Sequence, residues 1–225
     1  MTSNQKSVVL VIAPHPDDET LGCGGTLLRH LDQGDDVHWL IVTSVREEDG
    51  WSPAYVAEKN RQINLVNKHY GFLEQYQLGF PAAGLDAVPI RLIVEAIEKV
   101  INSIHPTTLY IPSGCDAHTD HQVVFSATTA SAKWFRAQSI KEIFCYETIS
   151  ETNFSYSDKV FDPNVFVNIT DYIEQKCTIL TNYSTEISEH PFPRSERVVR
   201  ALADLRGSQS GCDAAESFQL IYRCI

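Results

Sequence analysis

Val8-Val9-Leu10-Val11-Ile12-Ala13, followed at once by Pro14-His15-Pro16-Asp17-Asp18-Glu19, is the stretch on which the fold turns. Six apolar residues in a row, mostly β-branched and ended by proline, describe a strand buried on both faces. Strands of that kind belong to parallel sheets covered by helices. The polar segment then stands at the carboxyl end of the strand. Beyond it, within residues 21–31, Leu27, Leu28 and Leu31 repeat at helical spacing.

Working outward, the alternation continues. Residues 36–43 read as a strand, 54–70 as a helix closed by Gly71, and 76–78 as a short strand. In Ile90–Ile104, Ile90, Ile93, Val94, Ile97, Val100 and Ile101 form one apolar stripe of an amphipathic helix. Residues 107–111 read as a strand, 121–135 as a helix and Glu142–Tyr146 as a strand. Strands alternating with helices predict an α/β fold, a Rossmann-like mostly parallel sheet with helices on both faces. After Thr148 the pattern is less regular: a strand over 166–169, helices over 171–183 and 196–205, and Pro191-Phe192-Pro193 as punctuation. The expectation is a single domain over 1–225, with a core at 1–148 and a C-terminal extension at 149–225.

Composition limits the function classes. The 225 residues are 43% hydrophobic and 21% charged, enough for a core without disulfide staples. With 18 basic and 29 acidic residues the net charge is −11, which opposes nucleic acid and anionic lipid. The densest basic stretch, 194–206, also carries Glu196 and Asp204 and reads as a mixed, solvated helix face. The cysteines, at 23, 115, 145, 177, 212 and 224, include no Cys-x-x-Cys pair and read as reduced, mostly buried thiols. The run at 8–13 is too short for a signal-peptide core, and no run reaches the roughly 18 residues of a transmembrane span. A cytoplasmic protein is expected.

Two polar clusters fall at strand ends, where ligands bind in open α/β sheets. His15, Asp17, Asp18 and Glu19 place one imidazole beside three carboxylates, whose repulsion a divalent cation would relieve. His15 and Asp18, three apart, are able to face one ion. Asp116, His118, Asp120 and His121 follow the strand at 107–111. Two nitrogens and one oxygen around an open position make a common catalytic zinc arrangement, although Fe(II), Mn(II) or Co(II) suit the same donors. Gly22-Cys23-Gly24-Gly25 lacks the third glycine of a dinucleotide fingerprint, since Leu27 stands there, and the adjacent carboxylates would repel a pyrophosphate. Those glycines read as close helix-on-sheet packing. A phospho-receiver reading of Asp17-Asp18 leaves His118 and His121 unexplained.

The segment from Ala13 to Thr26, Ala-Pro-His-Pro-Asp-Asp-Glu-Thr-Leu-Gly-Cys-Gly-Gly-Thr, resembles the signature of the LmbE-like (PIG-L) de-N-acetylases. The segment from Tyr110 to His121 is similar to that family's second motif, and Ala215-Glu216-Ser217-Phe218 to a common ending. The resemblance spans most of the chain and is weak between Thr148 and Arg194. It implies zinc held by His15, Asp18 and His121, and Asp17 as the general base for a zinc-activated water. It further implies His118 stabilising the tetrahedral intermediate or protonating the leaving amine, with Asp120 orienting His118. Glu19 and Asp116 stand beside these as helix-start or supporting groups. The implied reaction removes the N-acetyl group from an N-acetylated amino sugar, free or in a glycoconjugate. A deacylase for another N-acyl group and a sugar-binding protein without catalysis are the alternatives.

Two positions depart from the family. A Thr-x-Gly-like turn after the second strand is replaced by Thr43-Ser-Val-Arg-Glu-Glu-Asp-Gly50, and an Arg-x-x-Glu pair on the next helix by Lys59 and Gln62. Both fall where substrate contacts are expected. His30, His38, His69, His105 and His190 read as structural, His190 least securely because its loop, 189–194, could border the pocket. Trp51, Trp134 and Tyr183 offer faces for a sugar ring but read first as packing.

Overall fold

The computed structural model describes residues 6–156, 158 and 160–225. Seven strands, β1 (Val8–Ala13), β2 (Asp36–Ser44), β3 (Glu74–Pro81), β4 (Thr108–Pro112), β5 (Glu142–Tyr146), β6 (Val165–Asn168) and β7 (Ala215–Arg223), form one sheet in the order β3-β2-β1-β4-β5-β7-β6. The first five pair in parallel, and β7 runs antiparallel to both β5 and β6. The chain order reverses between β1 and β4, so a crevice opens where their carboxyl ends diverge.

The opening apolar run behaves as its composition demands. Val9, Val11 and Ala13 face one core, with helices α1 (Asp18–Asp32), α2 (Pro53–Tyr70), α5 (Ile173–Leu180) and α6 (Glu196–Ser210). Leu10 and Ile12 face the other, with α3 (Ile90–Ile104) and α4 (Thr119–Ser131). The α3 stripe puts Ile93, Ile97, Val100 and Ile101 into that second core.

Differences from the sequence reading concentrate near the site and in the last third. Helix α1 starts at Asp18 rather than 21, because its first turn is built from the buried acidic residues themselves. Helix α4 starts at Thr119 with His118 as its N-cap and ends at Ser131. Strand β3 is longer than 76–78, running as an edge strand with every residue exposed or partly so. Strand β7 was not foreseen, because Glu216 and Ser217 break its apolar character; both are buried nonetheless.

Glu216 explains a break in α1. Cys23 departs from helical geometry (φ −144°, ψ 19°), which frees backbone groups on either side. The Glu216 carboxylate accepts from Gly25 N at 2.8 Å and Thr26 N at 2.7 Å. Lys176 Nζ, 2.7 Å from Glu216, donates to Leu21 O at 2.9 Å. The pair thus satisfies both sides of the kink, which no buried backbone group can leave unmade without loss of stability. Close packing sets the glycines here: a Cβ at Gly22 would stand 2.3 Å from the Tyr146 ring, and one at Gly25 2.8 Å from Ile169.

Among the described residues no helix is long and apolar enough to cross a membrane. All six cysteines are free thiols.

Candidate active site

The loop leaving β1 is fixed before any ligand arrives. Thr43 on β2 donates from N and Oγ1 to Pro14 O, at 3.1 and 2.8 Å. His15 N donates to Asp18 Oδ2 at 2.9 Å. Asp17 N donates to Glu19 Oε2, and Glu19 Oε1 accepts from Thr20 and Tyr183, each at 2.6 Å. Glu19 therefore serves the helix start, as one of its two sequence readings had it. Burial pushes its carboxyl up to about 8.

The loop after β4 brings the second cluster alongside. His15, Asp18 and His121 offer one donor atom each, all within 4.8 Å of one another. Asp18 Oδ2 is 3.3 Å from His15 Nδ1 and 3.3 Å from His121 Nε2. Ligands about 2.0–2.1 Å from a tetrahedral metal stand roughly 3.3–3.4 Å apart, so the spacing fits a zinc-sized cation. Each outer nitrogen meets a carboxylate: His15 Nε2 lies 3.0 Å from Asp120 Oδ2, and His121 Nδ1 2.8 Å from Asp116 Oδ2. Carboxylates in that position fix the ring and its tautomer. Asp116 also accepts from Thr152 Oγ1 at 2.6 Å, and Asp120 from Ala83 N and Leu85 N at 2.7 and 3.0 Å.

Without a cation the carboxylates draw protons onto these rings. Burial lowers the His15 pKa, but Asp120 and Asp18 outweigh it and raise it to about 9. His121, likewise opposed by burial, is raised to about 10 by Asp18 and Asp116. Burial works against an ionised Asp18, yet His121 and His15 hold its carboxyl well below the usual range.

Asp17 and His118 line the crevice beside this group. Asp17 is 2% exposed and adopts φ 152°, ψ −26°, a conformation rare for a residue with a side chain. It occupies the N-cap position of α1 without a side-chain cap bond. Its Oδ2 instead accepts from Arg194 Nη1 at 2.8 Å. Burial first, then the Asp18 charge, raise its pKa to about 7 against the pull of Arg194. His118 Nδ1 accepts from Asp120 N at 3.1 Å, so the ring proton sits on Nε2. Burial and the neighbouring His15 and His121 push its pKa down.

The arrangement differs from the sequence reading at three places. The Asp120 carboxylate lies on His15 and on the backbone of 83–85, and reaches His118 only through its own amide. Arg194 is no part of a solvated helix face: it precedes α6, and its side chain is 18% exposed. Its Nε donates to Ser150, Nη1 to Asp17 and Glu186, and Nη2 to Glu151. His190 is exposed, and its loop enters the site through Arg194 instead.

A cavity of about 180 Å³ runs from His15, Asp17, His118 and Arg194 toward Trp51 and Tyr55 on the α2 side. Lys59, buried on α2, pairs with Glu186, which also accepts from Tyr55 and Thr185. Gln62 bonds Glu58, Ser184 and Thr185 behind this wall. Trp51 thus lines the cavity rather than a packing interface, Tyr183 is fully buried on Glu19, and Trp134 is 68% exposed. Sequence reasoning missed Glu186 and Arg194 as site residues. A lysine and a glutamine on the otherwise apolar stripe of α2 were the available sign that polar partners must lie opposite.

Residues 10–132, over half the chain, match the family model described as PIG-L, GlcNAc-PI de-N-acetylase. The chain is 26% identical to the diacetylchitobiose deacetylase of Thermococcus kodakarensis, over 97% of this chain and 84% of that one. Among solved structures, the N,N′-diacetylchitobiose deacetylase of Pyrococcus horikoshii superposes with a TM-score of 0.78 at 21% identity, covering 97% of this chain and 85% of that one. The 4-carboxy-2-hydroxymuconate hydratase GalB of Pseudomonas putida KT2440 superposes at 0.73 with 15% identity, covering 98% of each. The architecture therefore carries more than one chemistry, and the reaction has to be argued from the site.

Proposed function

This chain belongs to the PIG-L family of GlcNAc-PI de-N-acetylases, and from that premise we propose that it is a zinc-dependent hydrolase of the N-acetyl group on an N-acetylated amino sugar. The observation that carries the reading is the convergence of His15, Asp18 and His121, each histidine braced from behind by a carboxylate, beside a strained Asp17 at the end of a cavity. Those three would hold zinc, whose Lewis acidity would lower the pKa of water toward neutrality and polarise an amide carbonyl.

The chain's own groups do the rest. Asp17, turned from its helix by Arg194, accepts the proton of the attacking water. The His118 Nε2–H, its other nitrogen engaged by Asp120 N, donates to the amide oxygen as negative charge develops there. The departing nitrogen takes up the proton that Asp17 accepted and leaves as free amine, while the second water proton stays on the new carboxyl group, which ionises to acetate by passing it to solvent or to the amine. Asp116 and Asp120 keep His121 and His15 in the tautomers that turn lone pairs toward Asp18. The six free thiols support a reducing compartment, and we place the protein in the cytoplasm.

The experiment is amine release from N-acetylglucosamine and its conjugates, measured before and after chelation and zinc return. The expected result is loss of turnover on chelation and recovery with one equivalent of zinc. His121→Ala should fail to bind that equivalent; full-affinity binding by this variant would refute the ligand assignment.

A further inference from the structure

Away from the reacting end the cavity has an aromatic wall, and the Lys59 and Arg194 charges on its lining are paired. The rings of Trp51 and Tyr55 stack, with centroids 4.9 Å apart and planes 16° from parallel. Ser52 Oγ, as N-cap of α2, accepts from Tyr55 N at 3.2 Å, and the Tyr55 hydroxyl is turned to Glu186. Both ends of Tyr55 are thereby tied down, and the indole of Trp51 lies against it, still 39% exposed. A rigid indole left in solvent at a cavity wall is a surface for a flat ligand face rather than core.

Apart from His15 and the zinc it would hold, the cations lining the cavity are Lys59 and Arg194. Lys59 is bound to Glu186, and Arg194 to Asp17, Glu186 and Glu151. Asp17 and Glu186 themselves line the same space. Beyond the zinc site, an anionic group would meet, among the described lining residues, no unpaired cation and two carboxylates. Holding it would require breaking a buried ion pair, which leaves the abandoned carboxylate without compensation.

We propose that the site selects uncharged glycosides of the N-acetylamino sugar, with the ring next to that sugar stacked on the Trp51–Tyr55 pair, and discriminates against carriers charged beside the sugar. The selection rests on the deacetylation reading for the identity of the sugar, and on the aromatic wall and the paired cations for everything beyond it. A pyranose and an aryl group both present a flat apolar face to the indole. Stacking on an aromatic face of this kind contributes about tenfold in affinity.

The test is binding by calorimetry to zinc-loaded His118→Ala, chosen because it leaves the Asp17–Arg194–Glu186–Lys59 network intact. Four ligands are compared: methyl N-acetylglucosaminide as reference, N,N′-diacetylchitobiose, phenyl N-acetylglucosaminide, and its 4-carboxyphenyl counterpart. At least one ring ligand should bind about tenfold tighter than the reference, and whichever does names the ring as pyranose or aryl. The carboxylate should remove the aryl gain if phenyl binds tightly, and bind no better than the reference otherwise. Adding Trp51→Ala should bring the ring-to-methyl ratio near one, while Trp51→Phe should keep most of it. A ratio indifferent to Trp51→Ala, or a carboxyphenyl ligand bound more tightly than the phenyl one, overturns the proposal. Amine release by the wild-type protein is read separately. Ordered binding without amine refutes deacetylation and leaves the selection standing, whereas equal kcat/KM across all four refutes the selection alone.

Discussion

The loops leaving β1 and β4 and the segment between α5 and α6 meet in one cavity, but they are built by opposite means. The first two carry their polar residues in short, dense clusters, with several braces from a few positions away or from an adjacent strand: Asp18 on His15 N, Asp116 on His121, Thr43 on Pro14. The third places Glu186 and Arg194 eight residues apart on a segment of irregular backbone, and both act across long stretches of chain. Arg194 meets Asp17 over a separation of 177 residues, and Glu186 meets Lys59 over 127. Dense local clusters can be read for chemistry one at a time. A single arginine that supports another segment's carboxylate cannot.

If the difference is as drawn, the N-terminal clusters carry rate and the C-terminal third carries assembly. The largest expected effect is that of ending the chain at residue 148. This strips β5 of its β7 partner and leaves the amides of Gly25 and Thr26 without Glu216. Such a fragment should show no cooperative thermal transition by circular dichroism; a sigmoidal melt would show that the two regions are separable after all.

Next comes Asp17→Asn, which keeps the side-chain shape and removes the proton acceptor. Turnover should fall by roughly 10²–10⁴ while zinc content is unchanged. Since Asp17 makes no side-chain cap bond, its melting temperature should move little; a less stable but fully active variant would reverse the assignment. Glu216→Ala should do the converse. Urea unfolding is expected to show a loss of about 3–5 kcal/mol, because Lys176 is left buried and unpaired, and kcat per folded molecule should change far less than for Asp17→Asn. Smallest is Arg194→Gln, for which we expect kcat to fall about tenfold through a less well held Asp17. Arg194→Lys should recover part of that, and a variant indistinguishable from wild type in kcat would restrict Arg194 to packing.

The sheet's parallel half was legible because burial on both faces leaves a plain signature: an unbroken apolar run in β1, and one clean stripe on α3. The crevice followed from the general placement of ligands at strand ends, and the two clusters lie there. Strand β7 was not legible, because a buried glutamate argues against a buried strand until its partner is known, and Lys176 lies 40 residues away. The resemblance gives the carboxylate of Asp120 to His118. In space it lies on His15, 105 residues earlier, because the helix N-terminus gives His118 the amide of Asp120 and turns the side chain elsewhere. Arg194 is grouped with the α6 charges by proximity in sequence, although it stands before the N-cap Ser195 and outside the helix.

The brace on the kink of α1 also sets an order of events during synthesis. Gly25 leaves the ribosome 191 residues before the Glu216 that holds its amide. At about 5–20 residues per second that is an interval of roughly 10–40 s. Throughout it the segment His15–Glu19, with its crowded acids, lacks the last strand behind it. Until β7 docks, the amides at the kink of α1 have no carboxylate to hold them, so the rigid setting of these acids is completed only by the last strand to be made.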